Sequence, residues 1–165
     1  MPVTAPTTEQ VRELPRLAQV TIPSDWEDEN GHVNVQYYMT LYDQGVRPLM
    51  EALGIDDRYF NERRLGIFDL EHHISYFGEI HIGETVSVYA RLLDRSAKRF
   101  HGIVFVINDT RDRLASALEF IASGADLEAR RTVAYPDDVA AAMDRQIEEH
   151  RRLSWAPPVC GVMST

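Results

Sequence analysis

Residues 26 to 34, WEDENGHVN, bring Asp28, Gly31, His32 and Asn34 close together, directly ahead of a stretch with helical periodicity. A carboxylate can attack an electrophilic carbon or take a proton from water. A helix start offers backbone N–H groups that lack intrahelical partners, at the positive end of the macrodipole. Such groups hold an oxygen as it gains negative charge. A turn that runs into a helix therefore carries both halves of a hydrolytic site on one short segment. The same residues have a plainer reading, with Asn34 as a helix N-cap and Asp28 to Asn34 as a polar loop. Gly31 fits either, since it lacks a Cβ and accepts positive φ.

The elements that would position this turn are written in the hydrophobic periods. From about Val35 to Leu53, Tyr38, Tyr42, Val46, Leu49 and Leu53 recur at steps of four, four, three and four, which predicts a long helix stopped at Gly54. Pro48 inside it deletes a hydrogen bond to residue 44 and predicts a kink. Upstream, RLAQVTI reads as a strand ended by Pro23. After a charged loop, GIFDLEHHISYF alternates, with Phe68, Leu70, His72, Ile74 and Tyr76 expected on one face and Asp69, Glu71, His73 and Ser75 on the other. Val86, Val88, Ala90 and Leu92 mark the next strand. FHGIVFVI and LASALEFIASG follow after short polar links, as in an antiparallel meander. Pro136 and Asp137 open a last helix with Val139, Met143 and Ile147 as its stripe. This order predicts an α+β fold, one helix lying against an antiparallel sheet, with a C-terminal helix.

The chain of 165 residues is sized for one domain, expected over residues 15–153, with frayed tails at 1–14 and 154–165. Its 26 acidic against 17 basic residues give a net charge of -9, which argues against nucleic acid and anionic membrane surfaces as partners. Cys160 is the single cysteine, so no intrachain disulfide forms, and no apolar run reaches the length of a membrane span. A cytoplasmic location is expected. His72 and His73 point to opposite sides of their strand and make a poor ligand pair, so no metal is expected.

DENGHVN leading into QYYMTLYDQGV, followed by a meander, resembles the hot dog fold thioesterases of the 4-hydroxybenzoyl-CoA type. WEDENGHVNVQYY, LEHHISYFGEIHIGE and AKRFHG are similar to the branch of carnitine breakdown, which is associated with betainyl-CoA hydrolysis. The resemblance spans roughly Val20 to Pro136. It implies a long helix in the concave face of a five-stranded sheet, with Asp28 as nucleophile or general base and the Val35 backbone N–H as the polarising donor. His32 and Asn34 would position water or brace the turn. At these two positions the chain departs from the aromatic-halide branch, which carries apolar or aromatic residues there.

For a quaternary ammonium acyl group the resemblance points to aromatic faces. Trp26, Tyr37 and Tyr38 are the candidates, with core packing an equal explanation of Tyr38. Glu71 and His73 are candidates from the strand, against a solvated strand face. His101 matches the KRFH pattern, as a structural hydrogen bond or a substrate contact. Arg95, Lys98 and Arg99 are candidates for coenzyme A phosphates, against a solvated basic turn. A homodimer or homotetramer with its site at the subunit interface is implied, with no dissociable cofactor, coenzyme A being part of the substrate. Two rivals stand beside hydrolysis: a hot dog hydratase or dehydratase, and a non-catalytic acyl-binding dimer.

Overall fold

The apolar stripe of the long helix and the alternating strands meet on one face of the sheet. The computed structural model describes residues 4–165. In chain order it contains α1 (Thr8–Val11), β1 (Arg16–Thr21), a 3-10 turn (Ser24–Trp26), α2 (Gln36–Ala52), α3 (Asp57–Asn61), β2 (Leu65–Tyr76), β3 (Thr85–Arg95), β4 (Arg99–Asn108), β5 (Arg113–Asp126), β6 (Arg131–Thr132) and α4 (Asp137–Arg151). The strands run in the order β1-β3-β4-β5-β2, each antiparallel to its neighbour, and the two-residue β6 pairs with the end of β5. With α2 laid against one face, this is the expected hot dog fold. The meander holds for β3 to β5, whereas β2 crosses to the far edge.

Tyr38, Leu41, Tyr42, Leu49 and Met50 of α2 are buried against Val86, Val88, Ala90, Leu92 and Val104, which share one face of the sheet. Close approach depends on Gly45. A Cβ there would meet Val88 Cγ1 at 2.2 Å. The helix runs on through Pro48 without a break. Val139, Met143 and Ile147 of α4 join the same core, as their spacing predicts.

Three expectations are corrected. The strict alternation in β2 fails because Leu70 is an extra residue: Asp69 pairs with Ala122 and Glu71 with Ile121, a β-bulge. Asp69 therefore shares the helix-facing side with Ile67, His72 and Ile74, while Phe68 turns outward and is exposed. The charged loop after Gly54 contains α3, started by Asp56, whose carboxylate accepts the N–H groups of Arg58 and Tyr59. Parts of both expected tails pack on the domain. Val11, Leu14 and Trp155 are buried with Tyr89, Ile103, Phe105 and Ile107 on the outer face of the sheet. Residues 1–3 of the expected N-terminal tail lie outside the described residues.

β1 pairs with β3 only from Thr85 to Tyr89, which leaves the second half of β3 without a strand on that side. Helix α4 covers it. His150 Nδ1 accepts the Leu92 N–H at 2.9 Å, and the buried Arg91 donates to the carbonyls of His150 and Trp155 and lies over the Trp155 ring. A side chain thus does the work of a missing strand.

Two predictions follow from this packing. Gly45→Ala gains helix propensity of about 1 kcal/mol but must push α2 off Val88, an overpacking cost of about 1–3 kcal/mol that grows with the overlap. The variant should melt below the wild type in thermal unfolding. For His150, burial lowers the pKa from 6.5, outweighing the raising influences of Glu149 and the Leu92 contact. The unfolded chain then binds a proton that the folded chain refuses, so stability falls as pH drops below about 6.5. Denaturant titrations between pH 5 and 8 should show this slope, and His150→Gln should flatten it.

Candidate active site

WEDENGHVN folds as a tight hairpin. Glu27 and Val33 form a β-bridge, the Asp28 N–H donates to the His32 carbonyl at 3.0 Å, and the Gly31 N–H donates to the Asp28 carbonyl at 3.0 Å. Gly31 has φ +76, and a Cβ there would meet nothing within 4 Å, so the backbone conformation and not crowding calls for glycine. The Asp28 carboxylate closes the turn on itself. Oδ1 accepts the Asn30 N–H at 2.9 Å and lies 3.5 Å from His32 Nδ1. Loss of water around Asp28 pushes its pKa up, but the Asn30 backbone and side chain and the nearby His32 outweigh it and hold the carboxyl below its ordinary value. It is a carboxylate at neutral pH.

The next five backbone N–H groups show a pattern. Val33 donates to the Ile80 carbonyl at 2.8 Å and Asn34 to the Trp26 carbonyl at 2.8 Å. Gln36 donates to Asn34 Oδ1 at 3.1 Å and Tyr37 to the Asn34 carbonyl at 3.0 Å. Among the described residues, only the Val35 N–H of this run finds no acceptor, and Val35 is 63 % exposed. An open donor at a helix start, beside a turn bearing a carboxylate, is the arrangement that polarises a carbonyl.

This geometry is braced from behind. Glu84, 8 % exposed, accepts the His81 N–H at 2.8 Å, the Asn108 amide at 2.6 Å and the Arg111 guanidinium. The segment so fixed carries the Ile80 carbonyl that receives Val33. Trp26 stacks flat on Tyr37, with ring centroids 4.8 Å apart, and the Tyr37 hydroxyl donates to the Asp25 carbonyl.

The structure places the remaining candidates as follows. Trp26 is a core residue, 9 % exposed, which packing explains, and it does not line the cleft between α2, α3 and β2. Tyr38 is buried and edge-on to Tyr76. Asn34 caps α2. Glu71 and His73 share the outer face of the sheet with Glu119, turned away from α2. His101 makes a buried 2.8 Å contact with Glu119, whose other oxygen accepts the Cys160 N–H. Arg95 is bound in a two-pronged ion pair to Asp144 of α4. Lys98 and Arg99 are exposed at the turn from β3 to β4. That turn lies at the opposite end of the sheet from the Asp28 hairpin, roughly 30 Å along β3 at about 3.3 Å per residue. One chain therefore brings Asp28, His32, Asn34 and the Val35 N–H together, and it does not bring the basic turn to them.

Sequence reasoning missed a cleft of about 340 Å³ between α2, α3 and β2, lined among others by Met39, Tyr42, Asp43, Phe60, Asp69 and His72. Asp43 sits beside the apolar stripe of α2 and was legible as a flanking position. Asp69 was hidden by the bulge. Among the described residues no group of three or more His, Cys, Asp or Glu is placed to hold a metal ion, and no helix is long and apolar enough to cross a membrane.

Residues 22–143, the hairpin included, match the family model described as the thioesterase-like superfamily. The chain belongs to that superfamily. Among its relatives is an L-carnitine dehydrogenase/betainyl-CoA thioesterase of Rhizobium meliloti, 26% identical over 88% of this chain but only 29% of its own length. Another is a betainyl-CoA thioesterase of Pseudomonas aeruginosa, 25% identical over 78% of this chain and 81% of that one. This superfamily member thus spans less than a third of the first relative. A hypothetical protein of Staphylococcus aureus, solved in complex with CoA, shares the fold at TM-score 0.81 and 20% identity, over 92% of this chain and 96% of the other.

Removing the cap tests the hairpin's mechanical role. Asn34→Ala should cost about 0.5–2 kcal/mol of stability, read by chemical denaturation.

Proposed function

We propose that this chain is an acyl-CoA thioesterase that hydrolyses a small acyl-CoA, with betainyl-CoA as the preferred substrate. The observation that carries the reading is the open Val35 N–H beside an ionised Asp28 on one hairpin. The substrate carbonyl oxygen lies against the Val35 N–H and the positive start of α2. Asp28 then either attacks the carbonyl carbon or takes a proton from an attacking water. The carbon–sulfur bond breaks, coenzyme A leaves as the thiol, and the acyl group ends as the free acid. Downward displacement of the Asp28 pKa suits both roles, since each needs the carboxylate. His32, beside Asp28, orients the water or the carboxylate. No dissociable cofactor takes part.

Betainyl as the acyl group is supported by two relatives that are betainyl-CoA thioesterases and by the acidic cleft along the flank of α2. The working form is a homodimer or larger. Its support is β2, an edge strand of 12 residues that exposes Phe68, Leu70 and Tyr76, an open ladder suited to a second copy. In such an assembly each hairpin faces strand residues of the other chain. The enzyme acts in the cytoplasm.

The test is release of thiol from betainyl-, acetyl-, benzoyl- and long-chain acyl-CoA, with Cys160→Ser as the parent to remove the chain's own thiol. Asp28→Asn should lower kcat by at least about a hundredfold and leave the melting curve near that of the parent. Full activity in Asp28→Asn would reduce the hairpin to a structural turn. Binding of acyl-CoA without turnover by the parent would favour the acyl-binding dimer.

A further inference from the structure

The cleft beside α2 has a composition that a neutral acyl chain does not need. Its walls include the rings of Tyr42, Phe60, Phe100 and Phe120, and its ionisable lining is Asp43, Glu51, Asp56, Asp57 and Asp69 against Arg47 and His72. The net negative field repels the phosphates of coenzyme A and attracts a cation.

Most of these carboxylates are already engaged. Glu51 lies 3.4 Å from Arg47, Asp56 accepts the two N–H groups that start α3, and Asp69 lies 3.6 Å from His72. Asp57 sits in the first turn of α3, where the helix end holds its charge. Asp43 is exposed on the lining of the cleft and has no hydrogen bond or ion pair among the described residues. Tyr42 is 1 % exposed, and its buried hydroxyl faces Ser116 of β5. The cleft thus holds one carboxylate that no other group of the described chain engages.

Position agrees with chemistry. Asp43 is eight residues beyond Val35 on α2, and helix side chains lean toward the N-terminus. Its carboxylate therefore stands roughly 10 Å along the helix from the open N–H, from a rise of about 1.5 Å per residue. A carbonyl at Val35 followed by a methylene and a trimethylammonium head spans that interval when the head rests against Asp43. Such a head donates no hydrogen bond and is held by charge and aromatic faces, and the cleft lining offers both, with Phe60 as its exposed ring.

We propose that this cleft receives the acyl end of the substrate and that Asp43 is the residue that selects a quaternary ammonium acyl group over its neutral counterpart. The inference rests on the thioesterase reading above and adds the residue that sets its selectivity.

The experiment compares kcat/KM for betainyl-CoA and for 3,3-dimethylbutanoyl-CoA, in which carbon replaces the charged nitrogen at the same shape. The wild type should prefer betainyl-CoA at least tenfold. In Asp43→Asn that ratio should collapse by at least tenfold, through a higher KM for betainyl-CoA, and Asp43→Glu should restore part of it. Thermal unfolding of both variants checks that they are folded. A wild type that hydrolyses both substrates equally overturns the selectivity while the thioesterase reading stands. A preference that survives in folded Asp43→Asn overturns the role of Asp43. Hydrolysis of neither substrate overturns this inference, and absence of turnover on every acyl-CoA overturns the reading beneath it.

Discussion

The contact of Gly45 with Val88 sets the height of α2 above the sheet, and the site follows from that height. A side chain at residue 45 would lift the helix by the thickness of a methyl group. With Gly45 in place, α2 rests on β1, β3 and β4. It touches β2 at one end, through Tyr38 and Tyr76, and farther along a gap stays open between helix and edge strand, which is the cleft. The same seating fixes where the helix begins, hence where the Val35 N–H points. Helix packing thus defines two parts of the site at once: a donor at the end of the helix and a cavity along its flank.

The hairpin depends on an economy of hydrogen bonds. A polypeptide entering a helix exposes several N–H groups, and a protein that satisfied all of them would have no electrophilic handle there. Here the groups on either side of Val35 are committed: to the Ile80 carbonyl, to the Trp26 carbonyl, and to the side chain and carbonyl of Asn34. Those bonds make the remaining open donor rigid. Glu84, although distant in sequence, is part of this rigidity, because its bonds to His81, Asn108 and Arg111 fix the segment that holds Val33. Asn34 therefore caps the helix from within the hairpin that carries Asp28, so the capping reading of the motif does not exclude the proposed catalytic one.

Periods of apolar residues made α2, β3 and α4 legible, since each buries a single face and Tyr38, Tyr42, Val86, Val88, Val139 and Met143 mark it. The hairpin was legible as well, because a carboxylate, a glycine and a capping residue before a helix have local causes. Features set by tertiary pairing were not. The extra residue at Leu70 shows only when β2 is laid beside β5, and it moved Asp69 into the cleft against the apparent alternation. Trp26 looked like a pocket aromatic because no period claimed it, yet its partner Tyr37 lies in the following helix. Arg95 looked free for phosphate because its partner Asp144 is far along the chain. The ends looked unstructured because two short apolar segments, each too small to bury itself, cover one another.

That last pairing bears on how the molecule opens. Val11 and Leu14 meet Trp155 across nearly the whole length of the chain. Joining such distant segments carries a large loop-closure entropy unless the sheet has already drawn them together. The terminal segments are therefore late to dock and early to release. Their release uncovers Ile103, Phe105 and Ile107 on the outer face while the helix face stays closed. The fold has one face sealed by a long helix and another sealed by its own ends, so amide exchange should reach the second face by local opening long before it reaches the first.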